Sequence, residues 1–186
     1  MMGTLPNPIQ GWTCSQVVAA VAFLFVGTTL ALRCIECNDV GLASTIAPRS
    51  GALQRCFTPS AARDVVVEWK DKGVVGVASR GTVIDTVLLV PMYSCLLAVL
   101  CFAAARGFPQ ASRWGRVALT LGWAGWGAGL FDLIENAGIF AELHLHTYGV
   151  APVVGAASSV KWILIGLDGA FLVGWIVFQA WQLVAG

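Results

Sequence analysis

The stretch RVALTLGWAGWGAGLFDLIENAGIFAE occupies residues 116–142 and is apolar along nearly its whole length. A helix crosses the hydrocarbon of a bilayer, about 30 Å thick, with roughly 20 mostly apolar residues. A membrane-spanning β-strand would instead appear as alternating segments of about ten residues, whereas this run is continuous. The stretch is therefore predicted to be a membrane-spanning helix.

Three further stretches meet the same criterion, at residues 16–32, 82–105 and 159–184. The first is not expected to be a cleaved signal peptide, because no Lys or Arg precedes Arg33 to form a basic leader. The sequence thus predicts an all-α protein, an integral membrane four-helix bundle that forms a single domain over residues 1–186. A long loop, 33–81, joins the first and second spans.

The composition of the chain agrees with this class. Of its 186 residues, 58% are hydrophobic and 11% are charged, and the mean hydropathy is +0.78. Soluble domains carry about 25% charged residues. An ordinary soluble enzyme and a disordered chain are therefore excluded, and a net charge of +1 leaves no basic surplus for nucleic acid.

Tryptophans stand where an interfacial aromatic belt would place them. Trp12, Trp114 and Trp181 fall at the ends of spans on the side of the N-terminus. Trp69 and Trp162 fall near the opposite side. The pattern supports the predicted boundaries of the spans.

The end of the long loop has the pattern of an amphipathic helix, about residues 59–72. Thr58 is a suitable N-cap, Pro59 suits the first helical position, and Gly73 is a suitable stop. Between them an apolar stripe recurs at helical spacing: Ala62, Val65, Val66 and Trp69. We interpret the segment as an interfacial helix on the membrane surface. The alternative is a helix packed on a partner or on the bundle.

The basic residues predict the orientation. Seven of the eleven lie in the long loop, and Lys161 lies on the same side of the membrane, against three on the other side. The positive-inside rule then places the long loop in the cytoplasm or its organellar equivalent. A bacterial plasma membrane and an organellar inner membrane both fit.

Three of the six cysteines, Cys34, Cys37 and Cys56, lie at or in the long loop. A structural zinc site would need a fourth ligand, and a redox dithiol would need a thioredoxin-like context; neither is present. Two interpretations stay open, namely inert thiols and a disulfide such as Cys37–Cys56, which requires an oxidising compartment. No metal site is predicted.

Half of the ten carboxylates lie in or at the end of spans, where an ionised acid costs at least about 2.5 kcal/mol. Asp132, Glu135 and Asn136 share one helical face by their i, i+3, i+4 spacing. Counting about 1.5 Å per residue from the long-loop side places the acids of the span interiors within one half of the bilayer. The sequence thus predicts one polar cluster: Asp85, Asp132, Glu135, Asn136, Asp168, Lys161 and Arg80.

Two interpretations of this cluster stay open. In one, the acids pair with Lys161, Arg80 and Asn136 and hold the helices together. In the other, they form a pocket for a ligand, a proton or a substrate. Pro91, followed by Tyr93, is expected to kink the second span beside them.

Small residues recur every four positions in two spans, which lets membrane helices approach closely. Gly125 and Gly129 precede Asp132, whereas Gly166, Ala170 and Gly174 form a stripe nearly opposite Asp168. The fourth helix is expected to contact one neighbour through its glycines and another through its acid.

The sequence contains no hydrolase elbow, zinc-protease helix or phosphate loop, and its only histidines, His144 and His146, lie outside the predicted spans. No cofactor is expected beyond a bound lipid. We therefore expect a non-catalytic accessory subunit of a larger membrane complex, with membrane lipids and other subunits as partners. The alternative is a small transporter, or a lipid-binding membrane protein or enzyme, that uses the acidic pocket.

Overall fold

The computed structural model describes residues 5–39, 50–109 and 112–185. These residues form helices joined by short turns, with no strand among them. Four helices are long and apolar enough to cross a membrane: Cys14–Asp39, Val75–Arg106, Arg113–Leu145 and Tyr148–Ala185. They are called the first to fourth spans below. The predicted all-α class and the four apolar helices are confirmed.

The part of the long loop that the structure describes holds two shorter helices. A 3-10 helix covers Ser50–Arg55, and the amphipathic helix covers Pro59–Asp71. The side chain of Thr58 accepts a hydrogen bond from the Ala61 amide at 3.3 Å, as expected for an N-cap. Gly73 adopts a left-handed conformation with φ of 68°, which ends the helix where predicted.

The apolar stripe of the amphipathic helix packs on the bundle. Ala62, Val66 and Trp69 are 0% exposed. They lie in an apolar cluster with residues of the 3-10 helix and of the adjoining ends of the second, third and fourth spans. The position of Trp69 in an aromatic belt is therefore wrong, because its ring is in the protein interior. Protein rather than lipid covers the stripe, as in the alternative of a helix packed on the bundle.

The second span changes its pitch part of the way along. It runs as an α-helix over Val75–Ile84, as a π-helix over Asp85–Leu89 and again as an α-helix over Val90–Arg106. Pro91 lacks an amide hydrogen and its ring would collide with the carbonyl four residues earlier in a regular helix. The wider π turn, in which the Val90 amide donates to the Asp85 carbonyl, relieves this conflict beside Asp85.

The spans extend beyond the predicted apolar runs. The first continues past Arg33 to Asp39, and the fourth is helical from Ala151, so the predicted third loop shrinks to a turn at His146 and Thr147. Helix continues there because the added turns pack in the protein interior: Ala151 and Val154 are 0% exposed in the apolar cluster around Trp69.

Neighbouring spans approach closely through glycines of the third span. A Cβ atom on Gly129 would lie 2.8 Å from the Cβ of Ser94, and one on Gly122 would overlap the Phe102 ring. The third span packs against both the second and the fourth, and the first packs against the second. The first and fourth spans share little or no packing with each other. The bundle is thus open along one side.

Candidate functional site

The third span supplies three buried polar side chains of the candidate site. Asp132, Glu135 and Asn136 face into the bundle and are 2%, 0% and 3% exposed. Their shared face was predicted from their spacing, since side chains at i, i+3 and i+4 stand above one another on a helix. Burial of two acids and an amide at one point of an apolar bundle requires hydrogen-bond partners from other helices.

Lys161 of the fourth span is the main partner. Its Nζ lies 2.9 Å from Oδ1 of Asp132 and 2.8 Å from Oε2 of Glu135. The lysine is itself 4% exposed, so the three charged groups are removed from solvent together. Such an arrangement links the third and fourth spans, and loss of one member would leave a buried charge without compensation.

The second span contributes two further groups. Asn136 donates a hydrogen bond to Oδ2 of Asp85 at 3.0 Å, and the Tyr93 hydroxyl donates to Oδ2 of Asp132 at 2.8 Å. Both Asp85 and Tyr93 are partly exposed, unlike the groups of the third span. The π turn begins at Asp85, so the irregular part of the helix lies at the site.

The structure thus brings together five of the predicted residues: Asp85, Asp132, Glu135, Asn136 and Lys161. These five and Tyr93 are called the polar cluster below. Tyr93 was not predicted as a member. The signal in the sequence was its position, two turns after Asp85 in the same span.

Arg80 does not join the polar cluster. Its side chain is exposed, and its Nε donates to the carbonyl of Gly76 at 3.3 Å, within its own helix. The sequence placed it in the polar cluster as a partner of the acids, close to Asp85. Five residues along a helix, however, turn the two side chains toward different sides.

Asp168 lies apart from the polar cluster. It follows Lys161 by two helical turns, about 10 Å deeper into the bundle. There Oδ2 packs 3.3 Å from the position that a Cβ on Gly125 would take. The residue is 0% exposed, and neither carboxyl oxygen has a hydrogen-bond partner among the described residues. The expectation of a single level is wrong for Asp168, because Lys161 is the residue of the fourth span that meets Asp132 and Glu135, and seven residues of helix separate Asp168 from it.

All six cysteines are free thiols in the structure, so the Cys37–Cys56 disulfide is not formed there. Cys34 and Cys37 are exposed on the last turns of the first span, whereas Cys56 is buried under the amphipathic helix. Burial, and then the negative charge of Glu142, raise the pKa of the Cys56 thiol. In the part of the chain that the structure describes, no three His, Cys, Asp or Glu residues are grouped to hold a metal ion.

A cavity of about 470 Å³ adjoins the polar cluster, and all four spans contribute to its walls. Asp85, Tyr93, Asp132, Asn136 and Lys161 form its polar end. The other walls are mainly apolar and include Leu32 of the first span and Trp162 and Ile165 of the fourth. Leu32 and Trp162 are also 46% and 60% exposed at the outer surface. The cavity therefore lies at the open side of the bundle, between the first and fourth spans.

Comparison with protein-family models, with curated proteins and with solved structures gives no match to this chain.

Proposed function

We propose that this chain is a lipid-binding membrane protein that holds an amphiphilic molecule in the cavity between its four spans. The observation that carries the proposal is the cavity of about 470 Å³, apolar along its walls and polar at one end. Ligand cavities in proteins are commonly about 300–1,000 Å³, with mostly apolar walls and a few convergent polar groups.

The distribution of polar groups favours an amphiphile over a sugar or an ion. A fully polar solute would leave the apolar walls unmatched, and a pure hydrocarbon would leave Oδ1 of Asp85 without a hydrogen-bond donor. A molecule with one polar head and one apolar chain matches both ends. A transporter or an enzyme that uses the same cavity would need this binding step as well.

Access from the bilayer supports the proposal. The first and fourth spans share little or no packing, and the exposed side chains of Leu32 and Trp162 stand at the gap between them. An apolar chain extending through this gap would remain in hydrocarbon while the head reached the polar cluster.

The proposal places all four spans in a membrane, with the long loop on the cytoplasmic or equivalent side. Large apolar side chains are exposed along every span, as contact with lipid would require. The amphipathic helix then lies at the membrane surface as an end cap of the bundle. Its apolar stripe is turned to the protein and its charged face, with Arg63 and Asp64 exposed, to the aqueous side.

Two tryptophan substitutions on the fourth span test the proposal. Ile165→Trp fills the cavity, whereas Ile163→Trp adds the same ring at a position that is 60% exposed and does not line it. Native mass spectrometry of each protein, purified in mild detergent and exposed to membrane lipids, measures bound lipid. We expect the wild type and Ile163→Trp to retain lipid and Ile165→Trp to lose it. Equal retention by the two variants would overturn the proposal.

A second candidate function is that of a subunit in a larger membrane assembly. The stripe of Gly166, Ala170 and Gly174 is exposed, and a Cβ on either glycine would meet no atom within 4 Å. By contrast, the space beside the glycines of the third span is already occupied by other atoms of this chain. Asp168 faces inward and the glycine stripe faces outward, so the stripe is available to another membrane helix.

Sizing the native particle in mild detergent tests this second candidate. We expect a particle larger than one chain with its detergent, and we expect Gly174→Leu to reduce its size because the branched side chain prevents close approach of helices. Gly169→Leu, on the flank of the stripe, serves as the matched control. A single-chain particle from native membranes would contradict the assembly.

A further inference from the structure

Each hydrogen-bond donor group at the polar end of the cavity makes at least one bond within the protein. The Tyr93 hydroxyl donates to Asp132, and Lys161 contacts Asp132 and Glu135. Asn136 donates to Asp85. Among the described residues, Oδ1 of Asp85 is an acceptor at this end that receives no hydrogen bond.

The threonine hydroxyls of the cavity wall also donate their hydrogens within the protein. Thr28 donates to the carbonyl of Leu24 at 2.7 Å, and Thr82 donates to that of Ala78 at 3.1 Å. Both bonds stay within their own helices, so each hydroxyl presents only lone pairs to the cavity. Gln54, which lines the cavity from the 3-10 helix, is the one neutral amide there without such a donor bond among the described residues.

The charges of the polar cluster do not balance. Asp85, Asp132 and Glu135 are three carboxyl groups, and Lys161 is the one basic residue that lines the cavity among the residues that the structure describes. Lys161 is shared between Asp132 and Glu135, which leaves Asp85 with a neutral partner, Asn136. Within the described part of the chain, Oδ1 of Asp85 has no partner, and the residue is partly exposed to the cavity.

We infer that the amphiphile bound in this cavity carries a protonated amine as its head group, and that Asp85 is the carboxylate that pairs with it. This inference rests on the proposed function. An ammonium group supplies a hydrogen-bond donor for Oδ1 of Asp85 and a positive charge beyond that of Lys161, which is shared by Asp132 and Glu135. One of its three N–H groups would donate to Oδ1 of Asp85.

An anionic head group fits the same end poorly. A phosphate has acceptor oxygens, which would face the Asp85 carboxylate across a cavity with low polarity, and like charges there repel. Lys161 is already shared by Asp132 and Glu135, so a phosphate that drew it away would leave these buried acids without a cation. The site therefore discriminates by charge as well as by shape.

Binding of three probes with one chain length tests the inference: dodecylamine, dodecanol and dodecyl phosphate. Each is titrated into the full-length protein in an uncharged detergent and followed by calorimetry, with Ile165→Trp as the blank for binding outside the cavity. A hydrogen bond to a charged group should favour the amine over the alcohol by about tenfold or more in Kd. Dodecyl phosphate should bind more weakly than the alcohol.

Variants of Asp85 assign the preference. Asp85→Asn should abolish the advantage of the amine over dodecanol. Asp85→Glu should keep the advantage and confirms that the position tolerates substitution. Asp71→Asn, which removes a carboxylate on the exposed end of the amphipathic helix, is the matched control and should behave as the wild type.

The outcomes distinguish failure of the head-group inference from failure of the proposed lipid binding. Similar affinity for all three probes, or tightest binding of the phosphate, would overturn the head-group inference while lipid binding stands. An amine preference that survives Asp85→Asn would overturn the role of Asp85. Binding of no probe beyond the level of Ile165→Trp would overturn the proposed function itself.

Discussion

Nζ of Lys161 and Oδ1 of Asp132 lie 2.9 Å apart, and both side chains are at most 5% exposed. The two residues belong to different spans, so this ion pair fixes the rotation of the fourth helix against the third. Glu135 shares the same lysine and strengthens the arrangement. The cavity depends on it, because Asp132 and Lys161 form part of its polar end.

Replacement of Lys161 should be strongly destabilising. Lys161→Met leaves Asp132 and Glu135 buried without a cation, which costs about 3–5 kcal/mol. Lys72→Met removes a partner of Glu68 in a pair whose side chains are 30% and 33% exposed, and should cost about 1 kcal/mol or less. Unfolding of the purified protein by heat or denaturant measures both. Equal stability of the two variants would show that the buried pair is not needed for folding.

The same substitution should have opposite effects at Asp168 and Asp132. Asp168→Asn replaces a carboxyl group that has no partner among the described residues with a neutral amide, which is cheaper to bury, so stability should rise. Asp132→Asn weakens the contacts with Lys161 and Tyr93 and should cost about 1.5–3 kcal/mol. Unfolding midpoints of the two variants measure the difference. A large loss of stability in Asp168→Asn would reveal a partner for this acid.

Glycines of the third and fourth spans should respond differently to alanine. Gly129→Ala places a Cβ 2.8 Å from the Cβ of Ser94, and such overpacking costs about 1–3 kcal/mol. Gly166→Ala meets no atom within 4 Å, and alanine favours a helix by up to about 1 kcal/mol over glycine. Denaturation of the two variants distinguishes them. A Gly129→Ala protein as stable as the wild type would contradict the close approach of the second and third spans.

Thiol labelling should follow burial and orientation. Cys34 and Cys37 are exposed and should react with a water-soluble maleimide from the long-loop side, and Cys14 from the opposite side. Cys56 should resist at neutral pH, because the thiolate is the reactive form and its pKa is raised by burial and by the charge of Glu142. Labelling of Cys56 should therefore increase as the pH rises.

Single-cysteine variants in sealed vesicles of known orientation provide this measurement. Labelling of Cys14 and Cys34 from the same side would show that the first span does not cross the membrane. Exchange of the two sides would show that the predicted orientation is inverted.

Features that depend on one helix at a time were predictable. The spans follow from the length of an apolar run, and the inward face of Asp132, Glu135 and Asn136 follows from i, i+3, i+4 spacing. The N-cap at Thr58 and the stop at Gly73 follow from local backbone chemistry. Each of these is settled by residues within a few positions of one another.

Features that depend on the contact between two helices were not predictable from the sequence. Asp168 and Arg80 were placed with the polar cluster, and Tyr93 was overlooked as a member. Periodicity shows which side chains share a face but not which helix that face meets, nor the register of one helix against the next.

The sequence by itself therefore determined that this protein is a bundle of four apolar helices with acids on inward faces. Only the tertiary structure decided that Lys161 joins Asp132 to Glu135 and that Asp85 retains an open oxygen at the cavity. The physical reason is the distance along the chain over which each interaction acts. Hydrophobic length and helical pitch act within one segment, whereas ion pairing and cavity formation depend on how closely glycines let distant segments approach.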